Sequence, residues 1–219
     1  MKNTILEIPS LHPYGKEHRI TFGKLDPSLE YQRLPKEAVK RFEELYVKIQ
    51  EKPRKNIKGL KQLFKDFPDV PEITNLLTYA FLRVKKKKQA ERLVEAAWKA
   101  HPNHFSARIN YADQALRLGK KESIPLIFGG CLDLHALYPD KENFHYSEFR
   151  GFMVVMGFYH LAKHEREKAE ECYQLSFQVD PLHPSVAALE KKISKQKNPL
   201  LLKKCYQTLL RLARISKNP

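Results

Sequence analysis

Glycine, cysteine and long apolar runs are all scarce in this sequence, and each shortage excludes a class of protein. Only 8 of the 219 residues are glycine, and they form no glycine-rich loop of the kind that cradles a phosphate. The three cysteines, Cys131, Cys172 and Cys205, are widely spaced. They fit neither a disulfide framework nor a metal site, so we expect reduced thiols in a cytoplasmic protein. No apolar run approaches the roughly 18 residues of a membrane span, and the first residues lack the apolar core of a secretory signal.

Acidic residues are also too few to balance the basic ones. The chain has 40 Lys+Arg against 25 Asp+Glu, which gives a net charge of +15. Residues 182–219 hold nine basic residues and one acidic residue, whereas residues 140–181 hold five basic and eight acidic residues. A basic end favours a polyanionic partner. The alternative is a charged surface that only keeps the protein soluble.

Groups that could support catalysis do not occur at a useful spacing. His160 and His164 are one helical turn apart, as in a two-histidine metal pair, but the sequence contains no HExxH motif. His145, Tyr146 and Glu148 form a polar cluster that has no nucleophile beside it. We therefore expect no enzymatic activity, no metal and no cofactor.

The clearest pattern in the chain lies in residues 71–102, which read as two short helices joined by a basic turn. Apolar and small residues recur three and four positions apart in each half, which places them on one face of a helix. Pro102 ends the second helix, because proline cannot continue a helix. The residues on the two faces are Leu77, Ala80, Phe81, Ala90, Leu93, Val94 and Ala97.

This segment also marks a repeat. Pro68 and Pro102 are 34 residues apart, the period of a helix–turn–helix solenoid repeat. The chain resembles the tetratricopeptide-repeat (TPR) family over about residues 35–196, although Thr74 and Thr78 stand where the pattern usually has Trp and Gly. The resemblance is carried by Leu77, Phe81, Ala90, Val94, Ala97 and Pro102, by Tyr111, Ala112, Ala115 and Gly119, and by Gly157, Ala169, Tyr173, Ser176 and Pro181. Such a motif specifies a fold and not an activity.

The resemblance implies an all-α fold, a right-handed solenoid of about four TPR-like helix–turn–helix repeats with a C-terminal capping helix. Three regions are expected: an extended or partly disordered N-terminal arm (1–33), the repeat domain (34–196) and a basic amphipathic helix (197–219). The last region has two interpretations. It caps the apolar end of the solenoid, which we favour, or it binds an anionic membrane or nucleic acid.

Two repeats depart from the pattern. Gly129 and Gly130 fall within the second helix of the third repeat, where each costs on the order of 1 kcal/mol relative to alanine. Either the helix breaks there or another backbone packs closely against it, and we favour close packing. The fourth repeat runs from Pro139 to Pro181 and is longer than 34 residues. Its first helix therefore starts early, or a loop protrudes.

The family resemblance also implies a concave groove lined by the first helix of each repeat. Some family members clamp a carboxylate in this groove, but only Asn110 of the present chain fits that clamp. Arg83 and Arg117 recur at the same repeat position and favour a peptide with acidic and apolar side chains. The implied function is a protein–protein interaction scaffold or adaptor, and a nucleic-acid- or ribosome-associated adaptor is the alternative. The expected partner-binding residues are Asn75, Tyr79, Arg83, Ser106, Asn110, Asp113, Arg117, Val154 and Phe158.

Overall fold

The computed structural model describes residues 5–10 and 16–195, which are mostly helical and contain one small sheet. The helices are α1 (Leu29–Gln32), α2 (Lys36–Glu51), α3 (Pro53–Asp66), α4 (Pro71–Arg83), α5 (Lys87–Ala100), α6 (Phe105–Arg117), α7 (Ser123–Ile127), α8 (Leu134–Leu137), α9 (Tyr146–Ala162), α10 (Arg166–Val179) and α11 (Pro184–Lys195). The strands are β1 (Ile5–Ile8), β2 (His18–Thr21) and β3 (Asn143–His145).

Consecutive helices pair into hairpins that stack side by side. The hairpins are α2/α3, α4/α5, α6/α7 and α9/α10, and α11 follows the last of them. The first helices also contact one another in order, α2 with α4, α4 with α6, α6 with α9, and α9 with α11. Units that contact only their neighbours form a solenoid. The predicted solenoid of four helix–turn–helix repeats is therefore confirmed, whereas the predicted capping helix at 197–219 lies outside the described residues.

The hairpin α4/α5 shows how the sequence produces these pairs. Pro71 occupies the first turn of α4, where a missing backbone N–H does no harm. Leu77 and Ala80 of α4 are 2% and 0% exposed, and Ala90 of α5 is 2% exposed in the same core cluster. Because Ala90 is small, α4 and α5 can approach closely at this point.

The third hairpin is irregular, and here the favoured interpretation of its glycines is wrong. α7 ends at Ile127, and Gly129 and Gly130 follow with φ angles of 60° and 78°. A Cβ atom added to either glycine would meet no heavy atom within 4 Å, so no other backbone packs closely there. The glycines end the helix instead, because other residues rarely adopt a positive φ.

The fourth hairpin has the long first helix that was one of the two predicted alternatives. α9 has 17 residues, whereas α4 and α6 each have 13. A capping box fixes its early start. The Ser147 N–H donates to Nδ1 of His145 at 3.3 Å, and the His145 N–H donates to Oε2 of Glu148 at 2.9 Å.

A three-stranded sheet attaches the N-terminal arm to the fourth hairpin. β1 pairs antiparallel with β2, and β2 pairs parallel with β3. Ile8, Ile20 and Phe144 are fully buried and share one core cluster with side chains of α6 and α9. The helix pattern did not predict this sheet, because strands of three and four residues are too short to show an alternation.

Alternating helix directions place the connections at two opposite edges, since the short turns force neighbouring helices to run antiparallel. The turn edge holds the connections within hairpins, which are residues 51–55, 83–88, 117–122 and 163–168. The loop edge holds the connections that follow each hairpin, which are residues 66–72, 100–105 and 180–185 and the last part, residues 138–148, of the long connection from α7 to α9. At the turn edge, Nζ of Lys121 donates to the carbonyl oxygen of Ala162 at 3.0 Å and joins the third hairpin to the fourth.

Candidate binding cleft

A cleft of about 840 Å³ opens between the first helices of three successive hairpins. Its walls come from α4, α6 and α9, from the first turn of α11, and from residues 25–30 of the N-terminal arm. The cleft lies toward the loop edge, because the N-terminal halves of α4, α6 and α9 line it.

Five of the nine predicted partner-binding residues line the cleft together: Asn75, Ser106, Asn110, Asp113 and Val154. Three of them form a chain of hydrogen bonds between α4 and α6. Nδ2 of Asn110 donates to Oδ1 of Asn75 at 3.0 Å, and Nδ2 of Asn75 donates to Oγ of Ser106 at 2.8 Å. These bonds fix the orientation of the amides, so the polar part of the wall is organised without a ligand.

The chain of polar groups continues to His104. Oγ of Ser106 lies 3.1 Å from Nδ1 of His104, and burial lowers the pKa of this histidine, although Glu72 opposes the shift. A neutral ring nitrogen can accept the hydroxyl proton of Ser106 while that hydroxyl accepts from Asn75.

The other four predicted residues do not line the cleft. Arg83 donates to the Tyr79 hydroxyl, and that hydroxyl donates to Oε1 of Gln50 at 2.8 Å. Arg117 forms an ion pair with Asp113 at 3.0 Å. Phe158 packs against the core cluster formed by α9, α10 and α11. The aromatic and cationic side chains expected in one groove are thus divided among three places.

The N-terminal arm supplies a wall that the repeat pattern missed. Backbone N and Oγ of Ser28 donate to the two carboxylate oxygens of Glu72 at 2.7 and 2.8 Å. This contact presents Leu25 and Leu29 to the cleft while they remain 46% and 64% exposed. Ser28 also caps α1 by accepting from the Tyr31 N–H at 3.1 Å. A serine directly before an apolar and an acidic residue is a helix-start signal, and it could have located this wall.

The cleft is negative although the chain as a whole is basic. Asp26, Glu30 and Glu72 line it, and no cation among the described residues forms an ion pair with any of them. The remaining charges compensate one another. Nζ of Lys141 lies 2.6 Å from Oε1 of Glu148, Arg150 pairs with Asp180, and Arg117 pairs with Asp113. Burial raises the pKa of Asp113, and Arg117 acts against that shift. Three carboxylates therefore remain uncompensated.

The two histidines at metal-ligand spacing lie in different surroundings in the structure. No three His, Cys, Asp or Glu side chains in this part of the chain converge on a metal position. Nδ1 of His160 lies 2.6 Å from Oε2 of Glu165, within hydrogen-bonding distance, and His164 is an exposed turn residue. Burial raises the pKa of the Cys172 thiol to about 12, so it is a poor nucleophile. None of the described helices is long and apolar enough to cross a membrane.

Comparison with known proteins gives a distant structural likeness only. No protein-family model matches the chain, and no curated protein matches it significantly. One similar solved structure is MamA from Desulfovibrio magneticus RS-1, from residue 41 to its end. The two chains are 15% identical, with a TM-score of 0.49, and the match covers 84% of this chain and 99% of that chain. MamA MSR-1 C2 is also 15% identical, with a TM-score of 0.41, and the match covers 70% and 84% of the two chains. Likeness at this level says nothing about function, and the fold assignment rests on the helix contacts.

Proposed function

We propose that the protein is an interaction adaptor that binds a segment of a partner protein in the cleft. The observation that carries this proposal is the convergence of Asn75, Asn110 and Val154, which belong to three successive hairpins, on one cleft. Exposed leucines beside fixed amides combine apolar contact with oriented hydrogen-bonding groups, as protein-binding surfaces do. Five of the residues expected to contact a partner belong to this site.

The chemistry of the cleft favours a partner segment with apolar and basic side chains. Leu25 and Leu29 offer apolar surface, and Asp26, Glu30 and Glu72 offer negative charge without a cation nearby. The sequence favoured an acidic peptide because of Arg83 and Arg117. Neither arginine lines the cleft: Arg83 donates to Tyr79, and Arg117 is paired with Asp113. The proposed partner is therefore basic instead.

A cytoplasmic location belongs to the same proposal. Cys131 and Cys172 are free thiols, and unpaired cysteines are typical of reducing compartments.

The decisive experiment compares two exposed leucines. Leu29→Ser removes apolar surface from the cleft, whereas Leu126→Ser removes a leucine that is 82% exposed on α7 and does not line it. Each variant is used to capture partners after nuclease treatment, and captured proteins are quantified against wild type. We expect Leu29→Ser to weaken capture by about tenfold, which corresponds to about 1.4 kcal/mol. Leu126→Ser should leave capture intact.

Equal capture by Leu29→Ser and wild type would contradict the assignment of the cleft. Loss of all capture on nuclease treatment would instead identify nucleic acid as the bridging partner. Melting temperatures of both variants should equal that of wild type, since both leucines are largely exposed.

A further inference from the structure

The turn edge is basic, whereas the loop edge is acidic. Its four segments, residues 51–55, 83–88, 117–122 and 163–168, contain fourteen Lys and Arg residues and four acidic residues. The segments of the loop edge contain seven acidic residues and a single Lys, Lys141. Sequence order hides this division, because the two kinds of connection alternate along the chain and only the stacking of the hairpins separates them.

Nine of the fourteen turn-edge cations form no ion pair among the described residues, whereas Lys87, Arg117, Lys163, Arg166 and Lys168 each do. Lys85, Lys86, Lys88 and Lys120 are exposed, and none of them forms an ion pair with an acidic group among the described residues. The last turn holds two acidic residues, and one of them, Glu165, pairs with Lys163 at 3.0 Å and with Lys168 at 3.6 Å. The edge therefore carries a positive charge that its own acidic residues do not cancel.

Three of the four turns share one backbone geometry. The φ angles of Lys85, Gly119 and His164 are 62°, 74° and 63°. In each turn the following N–H donates to a carbonyl five residues earlier, at 2.8 Å for Lys86, 2.8 Å for Lys120 and 2.9 Å for Glu165. Equivalent turns on neighbouring hairpins present their side chains in equivalent directions. Since packed helices lie 8–10 Å apart, these three turns and the first turn together form a row roughly 30 Å long.

We infer that the turn edge is a nucleic-acid-binding surface that contacts the phosphate backbone of a single strand without reading its bases. The unpaired cations of the first three turns match a row of phosphates, whose binding releases condensed counterions. None of the four segments contains Phe, Tyr or Trp, so the edge lacks the aromatic platforms on which bases stack. Contacts to phosphate alone position a strand but do not select its sequence.

An anionic membrane is the weaker fit to this edge. A helix or surface that lies on a bilayer needs a continuous apolar face beside its cations. Within the four segments only Leu118 is a large exposed apolar residue, and Leu82 directly precedes the segment of another hairpin. A flexible strand can also follow successive turns of a stack, whereas a bilayer requires all of them to lie in one plane.

The test measures fluorescence anisotropy of a labelled oligouridine of about 20 nucleotides, long enough to exceed the row of turns. Lys86→Gln, Lys88→Gln and Lys120→Gln are combined in the full chain, and Lys121 is kept because it bonds to Ala162. The control combines Lys36→Gln, Lys40→Gln and Lys65→Gln, which are exposed and lie outside the turn edge. Both triple variants have the same net charge.

We expect the turn-edge variant to bind at least about tenfold more weakly, with a salt slope reduced by about 2, because each phosphate contact on a single strand contributes roughly 0.7. The control should stay within about twofold of wild type. Equal weakening of both variants would overturn the inference, since net charge alone would then explain binding. Binding to phosphatidylglycerol vesicles without binding to oligouridine would overturn it in favour of a lipid surface. The cleft variant Leu29→Ser should bind oligouridine as wild type does.

Discussion

Gly157 of α9 packs directly against Leu189 of α11, so closely that a Cβ atom at position 157 would lie 2.5 Å from Cδ2 of Leu189. Leu189 is fully buried and cannot move aside freely. We expect Gly157→Ala to lower the free energy of unfolding by about 1–3 kcal/mol through overpacking. Thermal and urea denaturation followed by circular dichroism measure this change.

Gly151 is the matched control on the same helix. A Cβ atom there would lie 3.5 Å from Cγ2 of Ile109, which is an ordinary contact. Gly151→Ala should therefore stabilise α9 by about 0.5–1 kcal/mol, since alanine is the better helix former. If Gly157→Ala were as stable as Gly151→Ala, the close packing of α9 on α11 would be wrong.

The backbone at Lys85 and His164 is strained, because both residues adopt the left-handed conformation that Gly119 adopts at the equivalent turn. The conformation costs roughly 1–2 kcal/mol for a residue with a Cβ. Lys85→Gly and His164→Gly should each raise the free energy of unfolding by about 1 kcal/mol, and Gly119→Ala should lower it by a similar amount. Urea denaturation of the three variants checks the shared geometry, and a loss of stability in either glycine variant would refute it.

The protein should become less stable as the pH is lowered, because His18 is buried in its neutral form. Burial, and after it the neighbouring His135, lowers its pKa from 6.5 to about 4, while Asp133 opposes the shift. The folded state binds fewer protons than the unfolded state, so the stabilisation is present in full above pH 6.5 and is lost as the pH falls toward 4. The pKa values of His104, His160 and His183 are shifted in the same direction. Melting temperatures recorded between about pH 7.5 and about pH 4.5 should decrease steadily.

A substitution at His18 isolates its share of this pH dependence. Its ring stacks on His135 with centroids 5.0 Å apart and lies beside Phe149, and its Nδ1 atom has no hydrogen-bond partner among the described residues. His18→Phe fits an aromatic environment and removes an unsatisfied polar atom. We expect unchanged or higher stability at neutral pH and a shallower fall toward acid. An unchanged pH profile would exclude His18 as the source.

Residues 197–219 lie outside the described structure, and their role as a cap remains a prediction. If they cover the end of the solenoid, removal of residues 198–219 should expose apolar surface of the last helices and lower both solubility and melting temperature. Light scattering and thermal denaturation of the truncated chain measure this. A stable and soluble truncation that no longer binds oligouridine or anionic vesicles would favour the polyanion-binding alternative.

The repeat pattern predicted features that depend on nearby residues. Pro68, Pro102 and Pro181 mark hairpin ends, and apolar stripes such as Leu77 with Phe81 mark buried faces, because both effects act within one or two helical turns. The same reasoning placed Asn75, Ser106 and Asn110 on one inner surface. It failed at Gly129 and Gly130, because a helix-ending glycine and a closely packed glycine are identical in sequence.

Features that join distant residues could not be predicted from local patterns. Ser28 contacts Glu72 across 44 positions, and this contact gives the cleft the wall formed by residues 25–30. The charges of the two edges also required the fold, since a count along the chain mixes turns with loops. The sequence predicted that Arg83 contacts a partner. In the structure Arg83 bonds to Tyr79 of α4, which bonds to Gln50 of α2, and only the fold brings these two helices together.

The parallel pairing of β2 with β3 sets the order in which the chain can fold. Ile20 pairs with Phe144, so the arm cannot reach its final position until the first three hairpins and the segment beyond them have been synthesised. An ordinary solenoid can be shortened one repeat at a time because its contacts are local in sequence. Here the strand pairing joins the N-terminal arm to the fourth hairpin and so raises the contact order, which favours slower and more concerted folding. Removal of the fourth hairpin alone should therefore also release residues 5–8 and 18–21 at the far end of the sequence.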